Sequence, residues 1–204
     1  MVARHCGDGD ASRVADEAIA DKRRRGLSLS GYERDYVALG DGGRTFVDVS
    51  GASGLDCIRD ARSGAALADL DNDGDLDVLR RASTGRSEDR WLLLFRNDIG
   101  NEGNSLVLEL EGRGSGRSAL GAVVRVGTSR GTPAAHRAAG TGFAAQWDPR
   151  LHFGLGDDEG VDWIEVTWPG GRVERLRGVH AGFWRVVEGT GRAERIEAPR
   201  GTLQ

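Results

Sequence analysis

Glycine occupies 32 of the 204 positions, about 16%, which is more than twice its average usage. A glycine inside a helix costs about 1 kcal/mol relative to alanine, so a chain this rich in it is not built mainly from helices. In turns the balance reverses, because glycine takes positive φ without steric penalty. The expected class is therefore strands joined by tight turns. Leu, Ile, Val and Phe together make up 45 residues, about 22%, just above the ~20% below which a chain lacks the apolar surface to fold. A globule of this length hides about 70% of its unfolded surface, so a true core is expected.

Charge narrows the function classes. The formal net charge is −4, and of the 28 basic residues only Lys22 is a lysine. The one dense basic run is Lys22-Arg23-Arg24-Arg25, and the isoelectric point is about 5.6. A nucleic-acid binder shows clustered basic charge and a high isoelectric point, so no nucleic-acid partner is expected. No stretch approaches the ~18 apolar residues of a membrane span. Residues 1–10 carry no apolar run of the kind a secretory signal needs. Cys6 and Cys57 are too few for a disulfide framework and lack C-x-x-C spacing; the sequence leaves their pairing open.

Along the chain, four segments are expected. Residues 1–31 form an N-terminal tail, helical or disordered. A short helix there is capped by Ser12, presents Val14, Ala15, Ala18 and Ile19, and stops at Gly26. From residue 32 the pattern changes to short β-prone runs. Residues 36–39 and 45–49 flank Gly40-Asp41-Gly42-Gly43 and predict a hairpin. Further strands are expected at 65–68, 76–79 and 91–95, with a polar link over 80–90. A second block, residues 101–192, offers strands at 106–110, 123–126, 151–153, 163–168 and 184–187. Trp168-Pro169-Gly170-Gly171 predicts a tight turn. Many short strands at regular spacing suggest a small sandwich or barrel. Residues 193–204 are expected to be a flexible, solvated tail.

The strongest chemical signal is Asp69-Leu70-Asp71-Asn72-Asp73-Gly74-Asp75-Leu76-Asp77. Five carboxylates at alternate positions repel one another unless a cation neutralises them. Oxygen-only ligands select a hard cation, and a flexible carboxylate-rich loop suits Ca²⁺ better than Mg²⁺. Side-chain oxygens are expected from Asp69, Asp71, Asp73 and Asp77, and a backbone carbonyl from Asp75. Gly74 permits the bend that turns the later ligands back. An EF-hand requires Glu at loop position twelve, where this chain has Arg80. The flanks also predict strands rather than helices, so the expectation is a β-flanked calcium loop.

These residues carry a family resemblance. Phe46-Val47-Asp48-Val49-Ser50, Ser53-Gly54-Leu55 and Ala66-Leu67-Ala68-Asp69 running into the acidic loop resemble FG-GAP (VCBS-like) repeats, in which a calcium loop joins two strands of a β-propeller blade. The second block resembles the ASPIC/UnbV domain of bacterial proteins related to cartilage acidic protein. The matching pieces include Arg117-Ser118-Ala119-Leu120-Gly121-Ala122, Gly140-Thr141-Gly142-Phe143, Asp148 through Gly156 and Trp168-Pro169-Gly170-Gly171. The resemblance implies an all-β chain: partial propeller blades with a calcium loop over 32–100, then a compact β-domain. It further implies an extracellular or periplasmic protein. A propeller needs about four to eight blades, and one calcium loop accounts for a fraction of one. Exposed blade faces are therefore expected to drive self-association.

Catalytic alternatives are weaker. His152 sits opposite the apolar face of Leu151, Phe153 and Leu155 and is expected to be structural, near Asp148 or Arg150. Gly114-Ser115-Gly116 lacks the G-x-S-x-G elbow, and the glycine-rich runs lack a P-loop lysine. The tryptophans are expected mainly in the core. The function these residues favour is a calcium-stabilised, non-enzymatic interaction module with a protein or glycan partner. The alternatives are an accessory protein or enzyme of a biosynthetic pathway, and an inactive truncated fragment.

Overall fold

The structure, a computed structural model, describes residues 17–22, 24–25, 35–40, 45–55, 64–83 and 90–198. Cys6, Cys57, Ser12, Gly26 and the Asp41–Gly43 part of the first hairpin turn lie outside the described residues. Residues 17–22 are helical, within the helix expected near the N-terminus. The chain divides into two compact units, one of residues 1–64 with 80–93 and one of residues 65–79 with 94–204.

In the first unit, β1 (Ala38–Gly40) and β2 (Phe46–Asp48) pair antiparallel with Leu39 opposite Val47, as their β-prone composition predicts. Ser50 closes this hairpin. It is fully buried, and its Oγ accepts the Val37 N–H at 2.8 Å and donates to Asp48 Oδ1 at 2.5 Å. Three further strands, β3 (Ala65–Ala68), which belongs to the second unit, and β4 (Asp77–Ser83) and β5 (Arg90–Phe95), whose residues are divided between the two units, form a sheet in that order. β4 continues to Ser83, so the stretch expected as the start of a polar link is strand. Its charge is accommodated by pairing: the buried Arg80 guanidinium forms an ion pair with Asp35.

The second unit carries the core. Its strands are β6 (Asn104–Glu111), β7 (Val123–Gly127), β8 (Ala134–His136), β9 (Leu151–Gly156), β10 (Gly160–Val161), β11 (Trp163–Thr167), β12 (Val173–Leu176), β13 (Val179–His180), β14 (Gly182–Val187) and β15 (Ala193–Arg195). They build two four-stranded sheets, β12-β11-β7-β8 and β15-β14-β6-β9, with β10 and β13 as a separate ribbon. Alternate residues point to one face, so Leu106, Leu108 and Leu110 of β6, Val124 and Val126 of β7, Phe153 of β9 and Ile164 and Val166 of β11 meet in one buried cluster. Two sheets sharing a core make a sandwich, and no sheet among the described residues closes into a barrel. Trp168 is fully buried there, whereas Trp147 is 40% exposed. The turn after β11 forms as expected: Gly171 N–H donates to the Trp168 carbonyl, and Trp168 N–H to the Arg172 carbonyl.

Two features of the second unit are not encoded in local sequence pattern. β14 pairs in parallel with β6, although the two are distant in the chain. Residues 193–195, expected in a solvated tail, extend the sheet as β15 with Ala193 opposite Val186. The acidic loop falls in the same compact unit as the sandwich. The Asp148 N–H donates to the Leu67 carbonyl at 2.8 Å and Trp147 Nε1 to the Ala65 carbonyl at 3.3 Å, which ties β3 to the segment before β9.

Candidate metal centre

The acidic loop folds around its own backbone. Asp69, at the end of β3, accepts the Asp73 N–H at Oδ1 (3.1 Å) and the Gly74 N–H at Oδ2 (3.2 Å). Asp73 Oδ1 accepts the Asp75 N–H at 3.1 Å. Asp77, at the start of β4, accepts the Leu70 N–H at 3.0 Å and the Asn97 N–H at 2.9 Å, so it ties the end of the loop to its start and to the segment after β5. Asn101 Nδ2 donates to Asp73 Oδ2 at 2.6 Å. Gly74 has φ +100°, and a Cβ there would overlap the Ser105 hydroxyl; both facts require glycine at this bend.

This winding gathers carboxylates. Oxygens of Asp69, Asp71 and Asp73 all lie within 4.8 Å of one another. Asp69, Asp75 and Asp77 are buried. Asp71 Oδ1 and both carboxylate oxygens of Asp75 are buried without a hydrogen-bond partner. Burial, followed by the charges of Asp73, Asp77, Asp71 and Asp69, pushes the Asp75 carboxyl up to about 6. Burial also raises Asp69, against the opposing pull of Arg150. A buried acceptor left unsatisfied costs about 1–3 kcal/mol, more when charged. A cluster of oxygen-only anions with orphaned acceptors fits a hard divalent cation. Of the five residues expected to hold the ion, the structure brings Asp69, Asp71 and Asp73 together. Asp77 stands outside that trio with both oxygens on backbone N–H groups.

A second group of residues is coupled to the loop, and the sequence does not reveal that coupling. Arg150, just before β9, donates from Nη1 to Asn72 Oδ1 (2.6 Å) and from Nη2 to the Asp69 carbonyl (2.9 Å). It grips Asp148 through Nε and Nη2 at 2.6–3.1 Å. Asp148 Oδ2 also accepts the Asp69 N–H at 3.3 Å. His152 completes the group, its Nε2 3.4 Å from Asp148 Oδ2. Burial alone would raise the Asp148 carboxyl, but hydrogen bonds from His152 and Arg150 hold it well below the usual carboxylate range. Asn72 presents its side chain to Arg150 from a left-handed backbone, φ 62°, a conformation that asparagine tolerates better than most residues. The one hint in the sequence is the pair of opposite charges at Asp148 and Arg150, two apart at the mouth of a strand.

Comparison with known proteins bears on the sandwich. Residues 112–192 match the family model described as ASPIC and UnbV, so the C-terminal block carries the domain that its motifs resemble. Over 114 residues, 54% of this chain, the sequence is 36% identical to cartilage acidic protein 1 of Homo sapiens. It is 36% identical over the same length to that of Mus musculus and 35% to that of Xenopus tropicalis. The matched segment spans only 16–17% of those relatives' length.

Proposed function

We propose that this chain is a non-enzymatic interaction module of an exported protein, stabilised by Ca²⁺ at the FG-GAP-like loop Asp69–Asp77. The observation that carries the reading is the convergence of Asp69, Asp71 and Asp73 beside the orphaned oxygens of Asp71 and Asp75. Asp69, Asp71 and Asp73 would hold the ion through carboxylate oxygens. Asp77 sets the loop ends, and Arg150 fixes the loop against the strand that follows. When bound, the ion supplies charge neutralisation and a crosslink between the strands flanking the loop. The ASPIC/UnbV match and the similarity to cartilage acidic protein 1 support an extracellular binding role. The burial of His152 against Asp148 supports a structural histidine.

Calorimetric titration of Ca²⁺ into the wild type and into Asp71→Ala and Asp73→Ala tests the metal assignment. Saturable heat is expected in the wild type and its loss in both variants. A ligand that binds only the folded state adds about 2.7 kcal/mol at a hundredfold excess over Kd, so chelation should lower the melting temperature of the wild type alone. Equal heats in all three proteins would remove the metal from this loop.

A further inference from the structure

A cavity of about 270 Å³ lies within the second unit, just below the about 300–1,000 Å³ typical of small-molecule sites. Leu67, Leu76, Leu151 and Trp147 give it apolar walls. Three of its lining residues carry fixed charge: Arg137, Asp148 and Arg150. Asp148 and Arg150 neutralise one another through the contacts described above. Arg137 has no such partner. Its Nη1 donates to the Ala138 carbonyl at 2.9 Å, and among the described residues no carboxylate pairs with it.

Arg137 is nonetheless held in place. Its N–H donates to the Ala122 carbonyl and its carbonyl accepts the Gly121 N–H, each at 2.8 Å, and the side chain is half-buried. It also borders a second, more polar cavity lined by Arg117, Arg185, Glu109 and Glu111, in which Arg185 is paired with Glu109. Partial burial of an unpaired cation costs free energy that an anion restores. The guanidinium fork matches a carboxylate in two parallel hydrogen bonds.

We propose that this cavity binds a small organic acid. Its apolar body packs against Leu67, Leu76, Leu151 and Trp147, and its carboxylate pairs with Arg137. The cavity shares Leu76 with the acidic loop and Asp148 and Arg150 with its anchor, but the residue that meets the carboxylate, Arg137, lies outside the carboxylate cluster.

Saturation-transfer NMR and titration on the full chain test this, with phenylacetate and hexanoate as probes. Their amides keep the body without the charge, and acetate keeps the charge without the body. Saturable binding of the two acids is expected, weaker by about tenfold or more for the amides and for acetate. Arg137→Gln should reduce the acids to the level of the amides. Ala138→Leu, which adds bulk at a residue lining the cavity and leaves Arg137 in place, should weaken binding of all probes, with melting curves confirming the fold of each variant. Should Arg137→Gln fail to fold, the acid–amide comparison and Ala138→Leu decide between the outcomes. The proposal is overturned by equal binding of acids and amides, by unchanged binding in folded Ala138→Leu, or by no saturable binding of either acid.

Discussion

Glu188 shows what a single buried carboxylate does in this sandwich. Its Oε2 accepts the backbone N–H groups of Arg113, Gly114 and Ser115 at 2.8–3.0 Å and the Ser115 hydroxyl at 2.8 Å. The Gly114-Ser115-Gly116 segment is thereby fastened to the end of β14. The Ser115 hydroxyl above all, together with the backbone donors, outweighs the opposing desolvation and pulls the Glu188 carboxyl down to about 2. An unfolded glutamate titrates near 4.3. The folded value is the lower one, so the contribution to stability is complete above the unfolded pKa and is lost as pH falls toward the folded one. Glu188→Gln should therefore remove a stability slope lying between about pH 4.5 and pH 2 and change little in the slope above it. Urea denaturation of both proteins across that range measures the difference. Parallel stability curves for the two proteins would show that Glu188 does not carry this dependence.

At the scale of elements, the decisive contact is between the loop after β3 and the turn before β9. Asp148 and Arg150 lie on that turn, with side chains 6% and 14% exposed. Removing one partner of a buried ion pair costs about 3–5 kcal/mol, because the other charge is left uncompensated. In Asp148→Asn, Arg150 keeps its bonds to Asn72 and the Asp69 carbonyl, so the lower end, about 3 kcal/mol, is expected. Denaturant unfolding monitored by tryptophan fluorescence measures it. A loss within about 0.5 kcal/mol, typical of surface substitutions, would show that the pair is solvated and does not hold the loop. The strands themselves were legible from local pattern. In β9, Leu151, Phe153 and Leu155 are buried and alternate with His152 and Gly154, as the period of two predicts. β8 and β15 were not legible, since Ala134-Ala135-His136 and Ala193-Glu194-Arg195 have weak β propensity. They are strands because β7 and β14 offer them an edge.

For the whole molecule, the distribution of exposed apolar residues matters most. Leu39, Phe46, Val47 and Leu92 are each more than half exposed, and all fall in residues 32–98. Apolar area is worth about 25 cal/mol per Å² when buried, so covering a few hundred Å² favours association by several kcal/mol before entropic costs. The full chain is therefore expected to self-associate through residues 32–98. A fragment of residues 101–198, which retains both four-stranded sheets of the sandwich, is expected to remain monomeric. Sedimentation velocity on the two proteins distinguishes them. A full chain that sediments as a single monomeric species at all concentrations would mean that this surface is not sticky enough to matter.

Local chemistry was enough to determine the strand-and-turn class, most strand positions and the acidic loop. Glycine content, period-two alternation and carboxylate spacing act over a few residues and leave their mark wherever they occur. Tertiary structure alone decided the partners. Arg150 reaches Asn72 and the Asp69 carbonyl across 78 and 81 residues of chain, and β6 finds β14 rather than a sequence neighbour. Glu188 reaches Ser115 across 73 residues. No periodicity encodes such pairings. They follow from which apolar faces share one core, and that core brings these groups beside the partners that compensate them.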